Sequence, residues 1–395
     1  MVRHSDTFED SFRLKSWCQR LSCILLLAAG LGSVVEIHAQ GVVASDPASA
    51  SKGRNAEPLS IQVNDDRLTL ALTKVPQVYL YGVIDADAPR RFEGLMSSRK
   101  IPPGSDIYLN SPGGDLHAGL ALGRLFRSGL MVTHLGAPRL KSRSGGIGPR
   151  TSLCVDACTY AYLGGFYRWA VTGNDRIGLN PVDKMDPKGG SSAQPAQTFG
   201  ELVAYLKDMG IDQAALAAPA TMPVNGTVWL SADQMLSSGL ANNGHLPLTA
   251  KRLPAEGTSS LVLSQMARDG EHRITFLCKP DGLTLTSHLK VGVDRARQLV
   301  SRGQGAYFQV DDLEMLPEQR ASVDNDNQSM TINRPFPLSW LERLLSARSM
   351  GAWVSDRNGA VRYGFTLELD PVRADLKDYY ASCAQAAALA RTQKR

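Results

Sequence analysis

The sequence predicts an α/β fold of repeated strand-helix units over residues 61–248, followed by a smaller α+β domain over residues 268–395. In the first part, short runs rich in β-branched and aromatic residues alternate with stretches whose apolar residues recur every three or four positions. That alternation is typical of a mostly parallel sheet covered by helices. In the second part, runs of alternating apolar and polar residues follow one another, and Asn358-Gly359 indicates a hairpin turn between two of them. At 395 residues and 43% hydrophobic content, the chain is long enough for two domains.

The first 39 residues are typical of a secretory signal peptide. Arg13, Lys15 and Arg20 precede an apolar run at 21–35, and Ala39 offers a small residue for cleavage. The run has about 15 residues, fewer than the roughly 20 that a membrane-spanning helix needs. The alternative is an uncleaved signal anchor, and only that alternative predicts membrane association. We expect a periplasmic or secreted protein of the bacterial cell envelope.

A formal net charge of +5 is mild for this length and does not point to nucleic acid. Residues 139–150 are the one basic cluster without an acid, and they carry Arg139, Lys141, Arg143 and Arg150. Such a run predicts a solvated loop, with an anionic partner or a mobile lid as the alternatives.

The elements of the first domain follow a linker predicted at 40–60, where small, polar and proline residues dominate. Strands are expected at 77–85, 105–111, 131–136, 169–173 and 175–181, and helices at 89–100, 115–129, 158–165, around 199–210 and at 231–239. The last helix begins with a capping box of Ser231 and Gln234.

The second domain is preceded by a linker predicted at 249–267. Strands are expected at 272–279 and 283–293, then a helix capped by Ser339 and Glu342, a hairpin at 352–369, and a helix from residue 372 to about 391. The sequence assigns this domain no role.

Four cysteines follow the predicted signal peptide, namely Cys154, Cys158, Cys278 and Cys383. An even number in an oxidising compartment suggests disulfides, with Cys278–Cys383 joining the ends of the second domain and Cys154–Cys158 as a local pair. The other reading of the local pair is a metal site. Because Cys-x-Asp-x-Cys lacks a second pair of ligands nearby, we predict no metal, and no cofactor is expected.

A glycine turn joins the second predicted strand to the next helix. Gly113 and Gly114 permit positive φ and close approach, so their backbone N–H groups can face a bound oxyanion. The same Ser-Pro-Gly-Gly sequence is also simply a good turn.

Several motifs in order resemble the proteolytic subunit of the Clp protease and its exported relatives in the ClpP/crotonase superfamily. They are Asn110-Ser111-Pro112-Gly113-Gly114, residues 154–165, Arg176-Ile177-Gly178-Leu179-Asn180-Pro181, and Trp229-Leu230-Ser231 leading to Gly239-Leu240. The resemblance covers about residues 78–243 and implies a layered fold of strand-helix units. It also implies an oxyanion hole formed by Gly113, Gly114 and Ala157. Members of the family form rings and trimers, so a homo-oligomer is implied as an option.

The resemblance places Asp156 where the family has its nucleophilic serine and Asn180 where it has its general-base histidine. The third, acidic position falls in Val224-Asn225-Gly226-Thr227, which has no acid. An imidazole accepts a proton at neutral pH and an amide does not, so Asn180 fails as a base. We expect a catalytically inactive pseudoenzyme that binds a peptide or protein partner.

Two alternatives to the pseudoenzyme remain. One is an active peptidase with a rearranged nucleophile, drawn from Ser111, Ser152 and Thr159 with His117, His134 or His245. The other is a structural or assembly module. For Asp156 itself, two hypotheses stand side by side: it is an ordinary helix N-cap, or its carboxylate caps the helix and also occupies or adjoins the former oxyanion hole.

Overall fold

The computed structural model describes residues 57–138, 151–180, 195–212, 214–217, 226–255, 258–279, 282–303, 305–314, 322–323, 328–336, 340–355 and 362–393. The predicted signal peptide, most of the linker behind it, the basic cluster 139–150, Ser339 and the Asn358-Gly359 turn lie outside these residues. The described part is a mixed α/β protein, as predicted.

A five-stranded sheet with strand order β1-β2-β3-β4-β6 forms the centre of the first part of the chain. Its strands are β1 (Ser60–Asn64), β2 (Gln77–Tyr81), β3 (Asp106–Asn110), β4 (Val132–Leu135) and β6 (Tyr167–Arg168). Strands β2, β3, β4 and β6 are parallel, and β1 pairs antiparallel with β2 at the edge. The strand predicted at 169–173 is wrong. The Trp169 N–H still donates to Thr133 O of β4 at 3.0 Å, but the Ala170 N–H leaves the sheet and donates to the Asn243 side chain at 2.9 Å.

A second, three-stranded sheet lies beside it, with order β5-β7-β8. Its strands are β5 (Leu153–Val155), β7 (Arg176–Leu179) and β8 (Val228–Leu230). The helices of this part are α1 (Arg67–Thr73), α2 (Ala88–Ser97), α3 (Leu116–Ser128), α4 (Ala157–Leu163), α5 (Pro195–Asp208), α6 (Ala214–Ala217) and α7 (Ala232–Ser237). The capping box of Ser231 and Gln234 at the start of α7 is confirmed.

Glycines let α3 and α4 approach until their backbones touch. A methyl group at Gly119 of α3 would lie 2.4 Å from the carbonyl oxygen of Ala157, the first residue of α4. At the far end, a methyl group on Gly164 would lie 2.2 Å from the Gly123 carbonyl oxygen. The helix that starts at the candidate site is therefore held directly on α3, whose own start is capped by the Asp115 side chain.

The second part of the chain is mostly antiparallel sheet. A six-stranded sheet has the order β15-β16-β12-β11-β10-β9, and a four-stranded sheet has the order β14-β13-β17-β18. The strands are β9 (Thr249–Ala255), β10 (Thr258–Ala267), β11 (Gly270–Lys279), β12 (Gly282–Lys290), β13 (Gly305–Val310), β14 (Leu313–Glu314), β15 (Ser322–Val323), β16 (Ser329–Phe336), β17 (Ser349–Ser355) and β18 (Arg362–Glu368). The helices are α8 (Val293–Arg302), α9 (Leu341–Ser346) and α10 (Arg373–Gln393).

One expectation for this part is corrected. Residues 249–267, predicted as a linker, form β9 and β10, because Leu261 and Leu263 alternate with polar residues and are fully buried. Helix α9 begins after Trp340, and the cap predicted at Ser339 lies outside the described residues.

The buried apolar residues form two clusters, one drawn from residues 59–241 and the other from residues 248–379. Arg268, just after β10, reaches across and binds both carboxylate oxygens of buried Asp106 at 2.6 and 2.8 Å. Asp106 also accepts from His134 at 3.0 Å. None of the helices among the described residues is both long and apolar enough to span a bilayer. The domain boundaries themselves stay a prediction.

Candidate functional site

Asp156 stands at the junction of β5 and α4 in an unusual backbone conformation. Its φ is 50° and its ψ is −112°, whereas positive φ is uncommon for residues other than glycine. The surrounding backbone holds it there: its N–H donates to Gly178 O at 3.2 Å, and its carbonyl accepts from Tyr160 N–H at 3.0 Å. Such strain persists only where neighbouring structure fixes it.

A disulfide spans this turn. Cys154 on β5 and Cys158 on α4 are bonded with their Cα atoms 5.2 Å apart, and both are fully buried. The second predicted pair, Cys278–Cys383, is bonded as well. Because each sulfur is in a disulfide, the four cysteines are not free thiolates for a metal.

Asn180 binds both oxygens of the Asp156 carboxylate. Its backbone N–H donates to Oδ1 at 2.6 Å, and its side-chain Nδ2 donates to Oδ2 at 2.5 Å. The Asp156 side chain makes no capping hydrogen bond to α4. The expectation that Asp156 caps this helix through its side chain is therefore wrong, since the carboxylate turns across to the end of β7 instead.

Thr227 completes a line of three side chains. Its Oγ1 donates to Asn180 Oδ1 at 2.7 Å, so the order of contact is Thr227, Asn180, Asp156. The sequence pointed to residues 224–227 for a third member without singling out Thr227. The pairing of the two strands supplies the missing signal: Val228, the first residue of β8, pairs with Leu179, so Thr227 lies beside Asn180.

Burial is the main influence on the charge of Asp156. It raises the pKa of the carboxyl above its ordinary value, and the two hydrogen bonds from Asn180 act in the opposite direction. Burial first, and the negative charge of Asp156 second, raise the pKa of the Tyr160 hydroxyl. No lysine, arginine or histidine within the described residues forms an ion pair with Asp156.

The glycine turn lies against Asp156, as its place before α3 predicts. Gly113 and Gly114 have φ of 110° and 140°. A methyl group on Gly113 would lie 3.8 Å from Asp156 Cβ, and one on Gly114 would lie 2.2 Å from Ile84 O. Only glycine fits both positions.

The three N–H groups assigned to an oxyanion hole differ in whether they already donate to an acceptor. The Gly113 N–H donates to Ser111 Oγ at 3.2 Å. The Gly114 and Ala157 N–H groups have no acceptor within the part of the chain that the structure describes. These two donors and the Asp156 carboxylate are the polar groups with capacity for a ligand here. Their assignment as an oxyanion hole stays a prediction.

Most of the residues considered for a rearranged nucleophile and base make other contacts. Ser111 Oγ donates to Gly113 O at 3.1 Å, and Thr159 Oγ1 donates to Gly178 O at 2.6 Å. The imidazoles lie with other partners: His117 with Glu201 at 3.3 Å, His134 with Asp106 at 3.0 Å, and His245 beside the His272 ring at 6.0 Å. Ser152 is buried at the start of β5.

Comparison with known proteins found similarity in solved structures only. No protein-family model matches the chain, and no curated protein sequence matches it. Two mutant forms of the 1510-N membrane-bound stomatin-specific protease match 42% of this chain at 17% and 18% identity, with 75% and 71% of their own lengths covered and a TM-score of 0.29 for both. One of them is in complex with a substrate peptide. Invasion associated protein b from Bartonella henselae matches 35% of this chain at 14% identity, with 93% of its own length covered and a TM-score of 0.26. Similarity of this extent leaves the activity to be inferred from the residues of the chain itself.

Proposed function

We propose that the chain is an exported, ClpP-like pseudoenzyme that binds a peptide or an unstructured segment of a partner protein without cleaving it. The observation that carries the proposal is the closed line from Thr227 through Asn180 to Asp156. The sequence resemblance assigns Asp156 to the nucleophile position, Asn180 to the base position and residues 224–227 to the acid position of such proteases. Here every member is joined to its neighbour by hydrogen bonds that perform no proton transfer.

The chemistry of the three side chains supports an inactive site. A peptidase of this type needs a hydroxyl that loses its proton to a neighbouring base during attack. Asp156 offers no hydroxyl, and Asn180 has no basic nitrogen. The amide of Asn180 is used at both ends, because Nδ2 donates to Asp156 and Oδ1 accepts from Thr227.

A site that has lost catalysis can still bind a peptide. The N–H groups of Gly114 and Ala157 suit a carbonyl oxygen of an extended peptide, as an oxyanion hole does in a protease. The two disulfides fit an oxidising compartment, which agrees with the proposed periplasmic or secreted location. No cofactor or metal takes part in this proposal.

The test is direct binding to an unfolded polypeptide. Fluorescein-labelled, reduced and carboxymethylated casein is titrated with the purified protein, and fluorescence polarisation reports binding while free amino groups report hydrolysis. The proposal predicts saturable binding with no new amino groups over a day. Amino groups that appear in proportion to the protein concentration contradict it, and so does the absence of binding.

A further inference from the structure

The Asp156 carboxylate has hydrogen-bonding capacity left after its bonds to Asn180. Each oxygen accepts one hydrogen bond from that residue, at 2.6 and 2.5 Å, and a carboxylate has about four acceptor positions in all. Both donors are neutral amide groups. They hold the carboxylate in one orientation without balancing its charge.

Within the described residues, the negative charge of Asp156 has no ion-pair partner. Asp156 is half-buried, burial raises its pKa, and its charge is felt at the buried Tyr160 hydroxyl. The buried carboxylate of Asp106 shows the usual arrangement in the same domain, since Arg268 and His134 both lie on it. A charge removed from water is costly unless it is paired, so a half-buried carboxylate that forms no ion pair with any described residue suits a cation that arrives with a ligand.

We infer that Asp156 forms the subsite for a cationic group of the bound peptide, either a lysine ammonium or an arginine guanidinium. The inference rests on the proposed peptide-binding function. The geometry supports it in two ways. Asn180 fixes the carboxylate by contacts from both its backbone and its side chain. The glycine turn lies directly beside the carboxylate, since a methyl group on Gly113 would lie 3.8 Å from Asp156 Cβ.

Binding of such a group exchanges hydration of the cation for one or two charge-assisted hydrogen bonds to the carboxylate oxygens. A hydrogen bond between charged partners contributes enough to change affinity by about tenfold. The subsite therefore acts as a selector: it favours peptides with a basic residue at one position over otherwise identical neutral or acidic peptides.

The experiment uses four fluorescein-labelled decapeptides that differ only at a central lysine, arginine, norleucine or glutamate. Their affinities are measured by fluorescence polarisation with the wild-type protein, with Asp156→Asn and with the control Asp175→Asn. Asp175 is a half-buried aspartate of the same sheet region whose carboxylate accepts from Ser152 N–H at 2.7 Å, so it matches Asp156 in kind. We expect the wild-type and the control to prefer the basic peptides over norleucine about tenfold, and Asp156→Asn to lose that preference while still binding norleucine peptide.

Equal affinity of the wild-type for all four peptides overturns the cationic subsite and leaves the proposed peptide binding intact. If no peptide binds, the proposed function fails. The subsite is then tested separately with n-butylammonium as the ligand. Carbon NMR of the aspartate carboxyls then follows the titration of Asp156, assigned by its loss in Asp156→Asn. A fall in the apparent pKa of Asp156 with n-butylammonium, and none with n-butanol, supports the subsite. An unchanged pKa overturns it.

Discussion

Replacement of Gly119 by alanine tests how the candidate site is positioned. Inside a helix, alanine is more favourable than glycine by about 1 kcal/mol, so the change would stabilise an isolated helix. In this fold, however, the new methyl carbon meets the Ala157 carbonyl oxygen at 2.4 Å. That atom belongs to the backbone at the start of α4 and cannot rotate away. Overpacking of this kind costs roughly 1–3 kcal/mol, so after the helix gain is subtracted we expect a net loss of about 0–2 kcal/mol in the free energy of unfolding.

Gly94 provides the matched control. It lies inside α2, is exposed, and has no atom within 4 Å of an added methyl group. Gly94→Ala is therefore expected to stabilise the protein by about 0.5–1 kcal/mol. Urea unfolding followed by circular dichroism gives both values, and an unchanged dependence on urea shows that the two variants unfold alike. If Gly119→Ala stabilises the protein as much as Gly94→Ala does, the close contact of α3 with α4 is refuted.

Four further predictions concern two carboxylates, the Thr227 contact and the disulfides. Burial raises the pKa of Asp156, so the protonated carboxyl stabilises the fold at low pH, and this contribution is lost as the pH rises through the folded-state pKa. Asp156→Asn removes this pH dependence. Urea unfolding at pH 3–7 should therefore show the variant gaining stability relative to the wild-type as the pH rises. Asp85 should show the opposite pH dependence, because the side-chain hydrogen bonds from Arg91 lower its pKa to about 2. Asp85→Asn should therefore lose stability relative to the wild-type as the pH rises above that value. Thr227→Val keeps the shape but removes the donor to Asn180 Oδ1, which should cost about 1 kcal/mol in the same assay; no change would contradict the contact. Removing the disulfide Cys278–Cys383, which closes a separation of 105 residues, should lower the free energy of unfolding by roughly 5 kcal/mol. Removing Cys154–Cys158, with a separation of 4, should lower it by roughly 2 kcal/mol. Equal losses would show that loop closure does not set the difference.

The strands and helices of the first domain were largely predictable, because each rests on a local pattern. Val78 and Leu80 alternate with half-exposed residues along β2, and the capping box of Ser231 and Gln234 marks the start of α7. Where local pattern and tertiary contacts compete, the prediction failed. The backbone after Trp169 leaves the sheet because a distant asparagine, Asn243, takes the N–H of Ala170.

The linker predicted at 249–267 failed for a different reason. Pro254, Gly257 and the serines at 259–260 are typical of a loop, but Leu261 and Leu263 continue an alternating pattern that the structure buries in the six-stranded sheet. Proline is tolerated here because β9 is an edge strand. The prediction gave more weight to the loop-like composition of the short stretch than to the alternating pattern next to it.

At the site, sequence order identified Asp156, Asn180 and the glycine turn, but not how the side chains pair. A favoured N-cap residue before a helix predicts a capping bond, and the positive φ of Asp156 prevents it by turning the carboxylate toward β7. Thr227 was missed because its position depends on the pairing of β8 with β7, which no local pattern encodes.

We propose that the line of Asp156, Asn180 and Thr227 preserves the arrangement of a serine peptidase site while lacking its chemistry. The most direct test is labelling with a fluorophosphonate probe, which reacts with a serine activated by a neighbouring base. It compares the wild-type protein with the triple variant Asp156→Ser, Asn180→His, Thr227→Asp. We expect no labelling of the wild-type and labelling of the triple variant at position 156. Labelling of any serine in the wild-type, or none in a folded triple variant, contradicts it.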